Sequence, residues 1–362
     1  MKNIPAYLAG CEAAFARNPR EANRAWFAKR RYGLFIHYGL YALLGGADMQ
    51  DVLRAIGANS KADAERGGRE WAQYHALVPV AVYERLAERF TAERFDADAI
   101  VSFARACGME YITLTTRHHD SFCLWDTVET AFNSVASAAK RDLVRELYQA
   151  CEKQEMALFL YYSHGRDWRH PHAPNNDPWG GKARPLYEPP EPTYRTGSAH
   201  DLNQYTAFVQ RQILELLRLF PHVAGIWLDG IGVPLSGAFE RFHVAELYDA
   251  IRRESPHALI SYTQGLLGTE DFFAPEHSVP KHLSESGKLV EVCTTMIEQP
   301  GSWGYIEGAR HRSKDEVARL LTDARAQDYR LLLNIGLRGD GSIDPLDRDT
   351  LLSVSASPLD KA

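Results

Sequence analysis

An alternation restricts this chain more than any other feature. Short apolar runs rich in β-branched and aromatic residues recur along it, each followed by a polar cluster and then by a segment of helical period. Seven runs read as strands: Leu34 to Ile36, Tyr111 to Thr115, Ala157 to Tyr162, Val223 to Leu228, Ala258 to Tyr262, Val290 to Thr295 and Arg330 to Asn334. Helical periodicity is clear over Asp96 to Ala106, Lys140 to Lys153, Leu202 to Leu219, Ala238 to Glu254 and Lys314 to Ala326. In the second of these, Leu143, Val144, Leu147 and Ala150 form one face. Strand then helix, repeated this often, builds a parallel sheet. The expectation is a (β/α)8-type barrel, TIM-like and open to irregularity, with an eighth strand hidden from the pattern. No Gly-x-Gly-x-x-Gly follows the first strand, so a doubly wound dinucleotide fold lacks its fingerprint.

The chain has 362 residues. That length accommodates one barrel of roughly 250 residues plus insertions, and residues 1–362 are read as a single catalytic domain. Two insertions break the pattern, Gly45 to Arg69 and His164 to His200, and long loops of this kind are expected to border a functional site. A net charge of −6 without a basic stripe excludes a nucleic-acid binder. The N-terminus has no apolar run of signal length, and nothing approaches the ~20 apolar residues of a membrane span. No membrane partner and a cytoplasmic location are therefore expected. Five widely spaced cysteines, with no Cys-x-x-Cys pair, read as reduced buried thiols.

Chemistry in such a barrel gathers where strands end. In chain order those positions give His37, then His118 and His119, then Tyr161 and Tyr162, then Asp229, Gln264, Glu291 and Asn334. Every strand ends in a loop, so one polar residue there means little; a set of them means more. Asp229 lies in Ile226-Trp227-Leu228-Asp229-Gly230. An aspartate so placed commonly caps the next helix, but the adjacent Trp227 points to a sugar, which presents both C–H faces and hydroxyls. Glycosidic hydrolysis ordinarily uses two carboxyl groups. The candidate partners for Asp229 are Glu276, on a loop, and Glu291, opening a β-like segment; most glutamates are merely solvated surface acids. His118-His119-Asp120 invites a metal reading. Adjacent residues on an extended segment point in opposite directions, so the two imidazoles are expected not to share an ion.

Taken together, these residues resemble the α-L-fucosidases of glycoside hydrolase family 29. Tyr32 to Gly39 (YGLFIHYG) is similar to the family's first strand, Glu70-Trp71 to its E-W-Y segment, and Tyr111 to Trp125 (YITLTTRHHDSFCLW) to its His-His-Asp block. Lys140-Arg141-Asp142, Tyr161-Tyr162-Ser163, Trp227 to Gly230, Glu291 to Thr295 with Ser302 to Tyr305, and Leu331 to Gly336 match further blocks in order. The resemblance implies a retaining, exo-acting attack on terminal α-L-fucosides with Asp229 as nucleophile. His37, Glu70, Trp71, His118, His119, Tyr161 and Trp227 match sugar-contacting positions, and no metal or organic cofactor is implied. Both Glu276 and Glu291 match places where members carry the acid/base, with Glu291 preferred for its better-matching block. Tyr38, Ser121 and Val290 depart from the pattern and are expected near the pocket, which keeps open an α-L-galactoside or other fucose-configured substrate. A fucose-binding protein with little turnover is the reading from another class. The family's C-terminal β-sandwich is not in the chain as read, and the apolar flank this would leave is the ground for expecting a homo-oligomer.

Overall fold

Eight parallel strands close into a barrel in the order β1-β8-β7-β6-β5-β4-β3-β2. They are β1 Tyr32–His37, β2 Tyr111–Arg117, β3 Ala157–Ser163, β4 Gly225–Asp229, β5 Leu259–Tyr262, β6 Phe272–Phe273, β7 Leu289–Thr295 and β8 Arg330–Gly336. The computed structural model describes residues 4–58, 67–176, 183–236, 239–280, 286–299 and 301–356. Residues 59–66 and 177–182, within the two insertions, lie outside these. The expected barrel is thus observed, and the missing eighth strand is the two-residue β6.

Burial on both faces explains why the strands read as unbroken apolar runs. Leu34, Ile36, Ile112, Leu114, Leu158, Leu160, Ile226, Leu228, Val290, Val292, Leu331 and Leu333 point outward into the layer between barrel and helices. Phe35, Tyr111, Phe159, Tyr161, Trp227, Phe272, Cys293 and Leu332 point inward.

Several helices begin on side-chain caps that the sequence supplies. Asp96, Asp142, Asp201 and Ser313 accept from the first-turn amides of helices Ala97–Ala106, Leu143–Lys153, Leu202–Leu219 and Lys314–Ala326, the last through a full capping box with Glu316. The segment expected as one helix from Ala238 divides into a 3-10 turn, Phe239–Phe242, and a helix, Val244–Glu254. His243 stands between them at φ 51°, which breaks the helical course.

The N-terminal helices Glu12–Arg17 and Pro19–Ala28 plug the end of the barrel where the strands begin. Phe27 enters its axis, 5.4 Å from the Tyr111 ring, 5.3 Å from Phe159 and 4.7 Å from Phe272. Asn23 ties the plug to the wall by donating to the carbonyls of Ala224 and His257, both at 2.8 Å. With that end filled, the barrel interior opens among the described residues at the carboxyl ends of the strands. Phe27→Ala should cost about 3–5 kcal/mol, read as a lower midpoint of urea unfolding; an unchanged midpoint would mean that the plug is not part of the core.

Candidate active site

At the open end lies a cavity of about 220 Å³ lined by Phe35, His37, Glu70, Trp71, His118, His119, Tyr161, Arg166, Trp227, Asp229, Glu276, Cys293 and Trp303. Nine of the ten residues expected from sequence to be catalytic or sugar-contacting line it. The exception is Glu291.

Asp229 is the last residue of β4. Its Oδ2 accepts from the Tyr161 hydroxyl at 2.6 Å and its Oδ1 lies 2.9 Å from the Thr263 hydroxyl. Its backbone carbonyl accepts from the amides of His164 and Gly165, at 3.0 and 2.9 Å. That crossing of the two loops needs glycine. Gly230 takes φ +90°, and a Cβ on Gly165 would sit 2.2 Å from the Gly230 carbonyl oxygen. Gln264, read as part of the polar ring, instead faces solvent at φ 61°, and Thr263 supplies the contact. Tyr162 also turns outward, its hydroxyl on Gln212.

Glu276 reaches the pocket because alternation continues past β6. Phe272 and Ala274 face inward, and the next inward position is Glu276. Its segment is pinned to β7: Cys293 N donates to Pro275 O at 3.0 Å and His277 N to Cys293 O at 2.8 Å. The carboxyl opens to the cavity mouth but is ringed by protein. Desolvation, with Asp229 and Glu70 nearby, pushes it up to about 7, and the Arg166 guanidinium restrains the rise. Water in the open mouth screens these effects; a bound ligand that displaces the water strengthens them.

Glu291, preferred from sequence as the acid, does not line this cavity. It faces inward in the amino-terminal half of β7, two residues before Cys293 and so roughly 7 Å back along the strand. It is 1% exposed and does not touch the cavity. The Tyr111 hydroxyl donates to its Oε2 at 2.7 Å and the Trp227 indole to its Oε1 at 3.0 Å.

The expectation that His118 and His119 point apart is corrected. β2 ends at Arg117 and the chain turns at once, so both rings face the cavity with centroids 4.2 Å apart. His118, His119 and Asp229 bring one donor atom each within 4.8 Å of one another, a spacing a metal ion could use. Arg166 in the same cavity, and the hydroxyls already held by both oxygens of Asp229, oppose a cation there. His37 Nδ1 lies 2.7 Å from Asn334 Oδ1. Asn334 Nδ2 donates to Thr295 Oγ1 and Trp303 O, so its oxygen is the acceptor and His37 carries the proton on Nδ1. The Ser163 hydroxyl donates to Arg166 O, so it accepts from His119 Nδ1 at 2.6 Å. In this tautomer both rings present a bare Nε2, an acceptor suited to a ligand hydroxyl. Burial holds His37 down to about 4 and keeps His118 and His119 well below the ordinary range.

Glu70 is buried, its Oε2 accepting from Gly304 N at 2.9 Å and the Ser302 hydroxyl at 3.2 Å. Trp71 stands edge-on to His119 at 5.3 Å, with the Arg166 guanidinium 5.4 Å above its ring. Arg166 and Trp303 were missed as individual site residues. Their direction is set by distant partners: a fully buried ion pair of Arg117 with Asp167 fixes the loop after β3, and Asn334 holds Trp303. The three departures from the family pattern do not line the cavity. Tyr38 packs on Phe90 and Phe95, Ser121 donates to Asp167 at 3.0 Å, and Val290 faces the helices.

Nitrogen chemical shifts of the His37 ring should stay those of a neutral Nδ1–H tautomer between about pH 5 and 8. Titration at the ordinary 6.5 would contradict its burial.

The α-L-fucosidase family profile matches residues 10–356. Tissue α-L-fucosidase of Rattus norvegicus is 27% identical over 363 aligned positions, covering 91% of this chain and 66% of the rat protein. The chain thus spans slightly under two thirds of that relative's length. Among solved structures, α-L-fucosidase AlfC from Lactobacillus casei in complex with α-L-fucose superposes with a TM-score of 0.74 at 26% identity, covering 92% of this chain and 97% of AlfC. An AlfC variant in complex with Fucα(1,6)GlcNAc gives 0.77 at 26% identity, with the same coverage. Isoenzyme 1 from Paenibacillus thiaminolyticus gives 0.74 at 28% identity, covering 93% of this chain and 75% of that one. With the family profile matched from residue 10 to 356 and the whole barrel superposing on solved members, the chain belongs to the α-L-fucosidase family.

Proposed function

We propose that the protein is an exo-acting, retaining α-L-fucosidase with Asp229 as nucleophile and Glu276 as acid/base. One observation carries the reading: Asp229, at the end of β4, and Glu276, on the segment that follows β6, converge on one cavity closed below by the barrel interior. A volume of about 220 Å³ falls below the roughly 300–1,000 Å³ of pockets for drug-sized ligands and takes one sugar ring rather than a chain. The indoles of Trp71, Trp227 and Trp303 offer the apolar wall that a deoxy sugar's methyl-bearing face needs.

In the first step an oxygen of Asp229 attacks the anomeric carbon while Glu276 gives its proton to the departing glycosidic oxygen. In the second, Glu276 takes a proton from water, whose oxygen attacks the same carbon and releases Asp229. Tyr161 and Thr263 orient the nucleophile, and the neutral histidines accept ligand hydroxyls without adding positive charge beside a developing oxocarbenium ion. Tyr38, Ser121 and Val290 face away, which removes the ground for preferring another sugar. The leaving group lies toward the open mouth, and Fucα(1,6)GlcNAc is the first natural substrate to try.

Aryl α-L-fucoside should be cleaved and aryl α-L-galactoside much more slowly. Release of neither phenol, despite fucose binding, would favour a lectin-like protein. Asp229→Gly should lose at least about 10³-fold in kcat, and near-normal turnover would sink the mechanism. Glu276→Ala should slow Fucα(1,6)GlcNAc by about 10²–10⁴-fold, aryl fucosides far less, with azide rescuing the latter. Because Glu276 must start protonated, kcat/KM should fall as pH rises through about 7; a flat alkaline limb would remove Glu276 from the role.

A further inference from the structure

Glu291 belongs to no part of this chemistry, yet it is a carboxyl group sealed inside the barrel and bonded on both oxygens. A charged or even polar group at that depth is unfavourable unless its partners are held in place. The surrounding sequence provides for it. The Tyr111 ring lies across Gly33, where a Cβ would come within 2.3 Å of it, and so reaches the axis with its hydroxyl on Glu291. From the other side the Trp227 indole donates to the second oxygen. Trp227 is also a wall of the cavity. Its ring stacks on Tyr161 at 5.5 Å with 25° between planes, and Tyr161 donates to Asp229 at 2.6 Å. Tyr161 in turn stacks on His118 at 5.5 Å and 7°. A continuous path therefore runs from Tyr111 through Glu291 and Trp227 to the ring that orients the nucleophile.

We propose that Glu291 is a positioning residue that fixes the Trp227 indole as the inner wall of the sugar pocket and, through its stack on Tyr161, holds the hydroxyl that orients Asp229. This rests on the assignment of Asp229 and Glu276 given above. Burial pushes Glu291 up to about 7, opposed by its two hydrogen bonds and by the Arg330 guanidinium. What the site requires is an acceptor for the indole. Glutamine supplies one with its oxygen, and its amide can donate to the Tyr111 oxygen. Alanine leaves two buried donors without a partner.

The test compares Glu291→Gln, Glu291→Ala and the parent on an aryl α-L-fucoside and on Fucα(1,6)GlcNAc. It also follows the indole ¹⁵N–¹H signal of Trp227, assigned by its loss in Trp227→Phe. Glu291→Ala should lower kcat/KM by about 100-fold, the scale of a displaced catalytic group, and equally for the two substrates. It should show no azide rescue, and the Trp227 signal should move upfield as its hydrogen bond is lost. Glu291→Gln should stay within about threefold of the parent, with the alkaline limb of the pH profile unmoved.

An azide-rescued, leaving-group-dependent loss in Glu291→Ala would make Glu291 the acid and overturn both the positioning role and the Glu276 assignment. A loss under about twofold, or an unmoved indole signal, would overturn positioning alone and leave Glu276 in place. Glutamine as damaging as alanine would also overturn it, since charge would then matter rather than the acceptor. Should the alanine variant not fold, the glutamine variant's kinetics and indole signal decide the matter.

Discussion

In a closed parallel barrel every strand residue faces either the axis or the surrounding helices, and with the Phe27 plug filling one end, whatever faces the axis packs as core or opens at the other. The site depends on that constraint. Moving up the axis, Phe27 meets Tyr111, Phe159 and Phe272. Glu291 and Trp227 follow, and then the polar rim of His37, His118, Tyr161, Asp229 and Glu276. The same period that buries the core aims the reacting groups. A one-residue slip in β4 would turn Asp229 out and Leu228 in.

The electrostatics of the rim follow from the same burial. Desolvation raises Glu276 and Glu70 and lowers the three histidines, so the cavity holds carboxyl groups pushed upward and imidazoles that remain neutral. That combination suits acid chemistry on a neutral sugar. Positive charge enters from Arg166, which is held over Trp71 and beside Glu276 by a loop anchored at Arg117 and Asp167. The tautomers of His37 and His119 are fixed by Asn334 and Ser163, groups with no direct place in the reaction.

Seven strands were legible because burial on both faces writes them as continuous apolar runs. β6 was not, since two residues followed closely by Pro275 carry no period. The same shortness hid the direction of Glu276, which looked like a loop residue although the alternation of Phe272 and Ala274 continues to it. Glu291 lies away from the cavity for the opposite reason: it sits in a well-matched strand, but in its amino-terminal half, where a side chain joins the core. The turn directly after Arg117 defeated the argument that His118 and His119 diverge. Arg166 and Trp303 are aimed by contacts from remote parts of the chain, and no local pattern reports those.

Stereochemistry tests the two-carboxyl account most directly. Proton NMR during cleavage of an aryl α-L-fucoside reads the first-formed anomer of fucose before mutarotation. Attack by Asp229 followed by water on the same carbon predicts α-L-fucose first, with the β anomer growing in later. If β-L-fucose formed first, a single displacement by water would be at work, and the nucleophile assigned to Asp229 would be wrong.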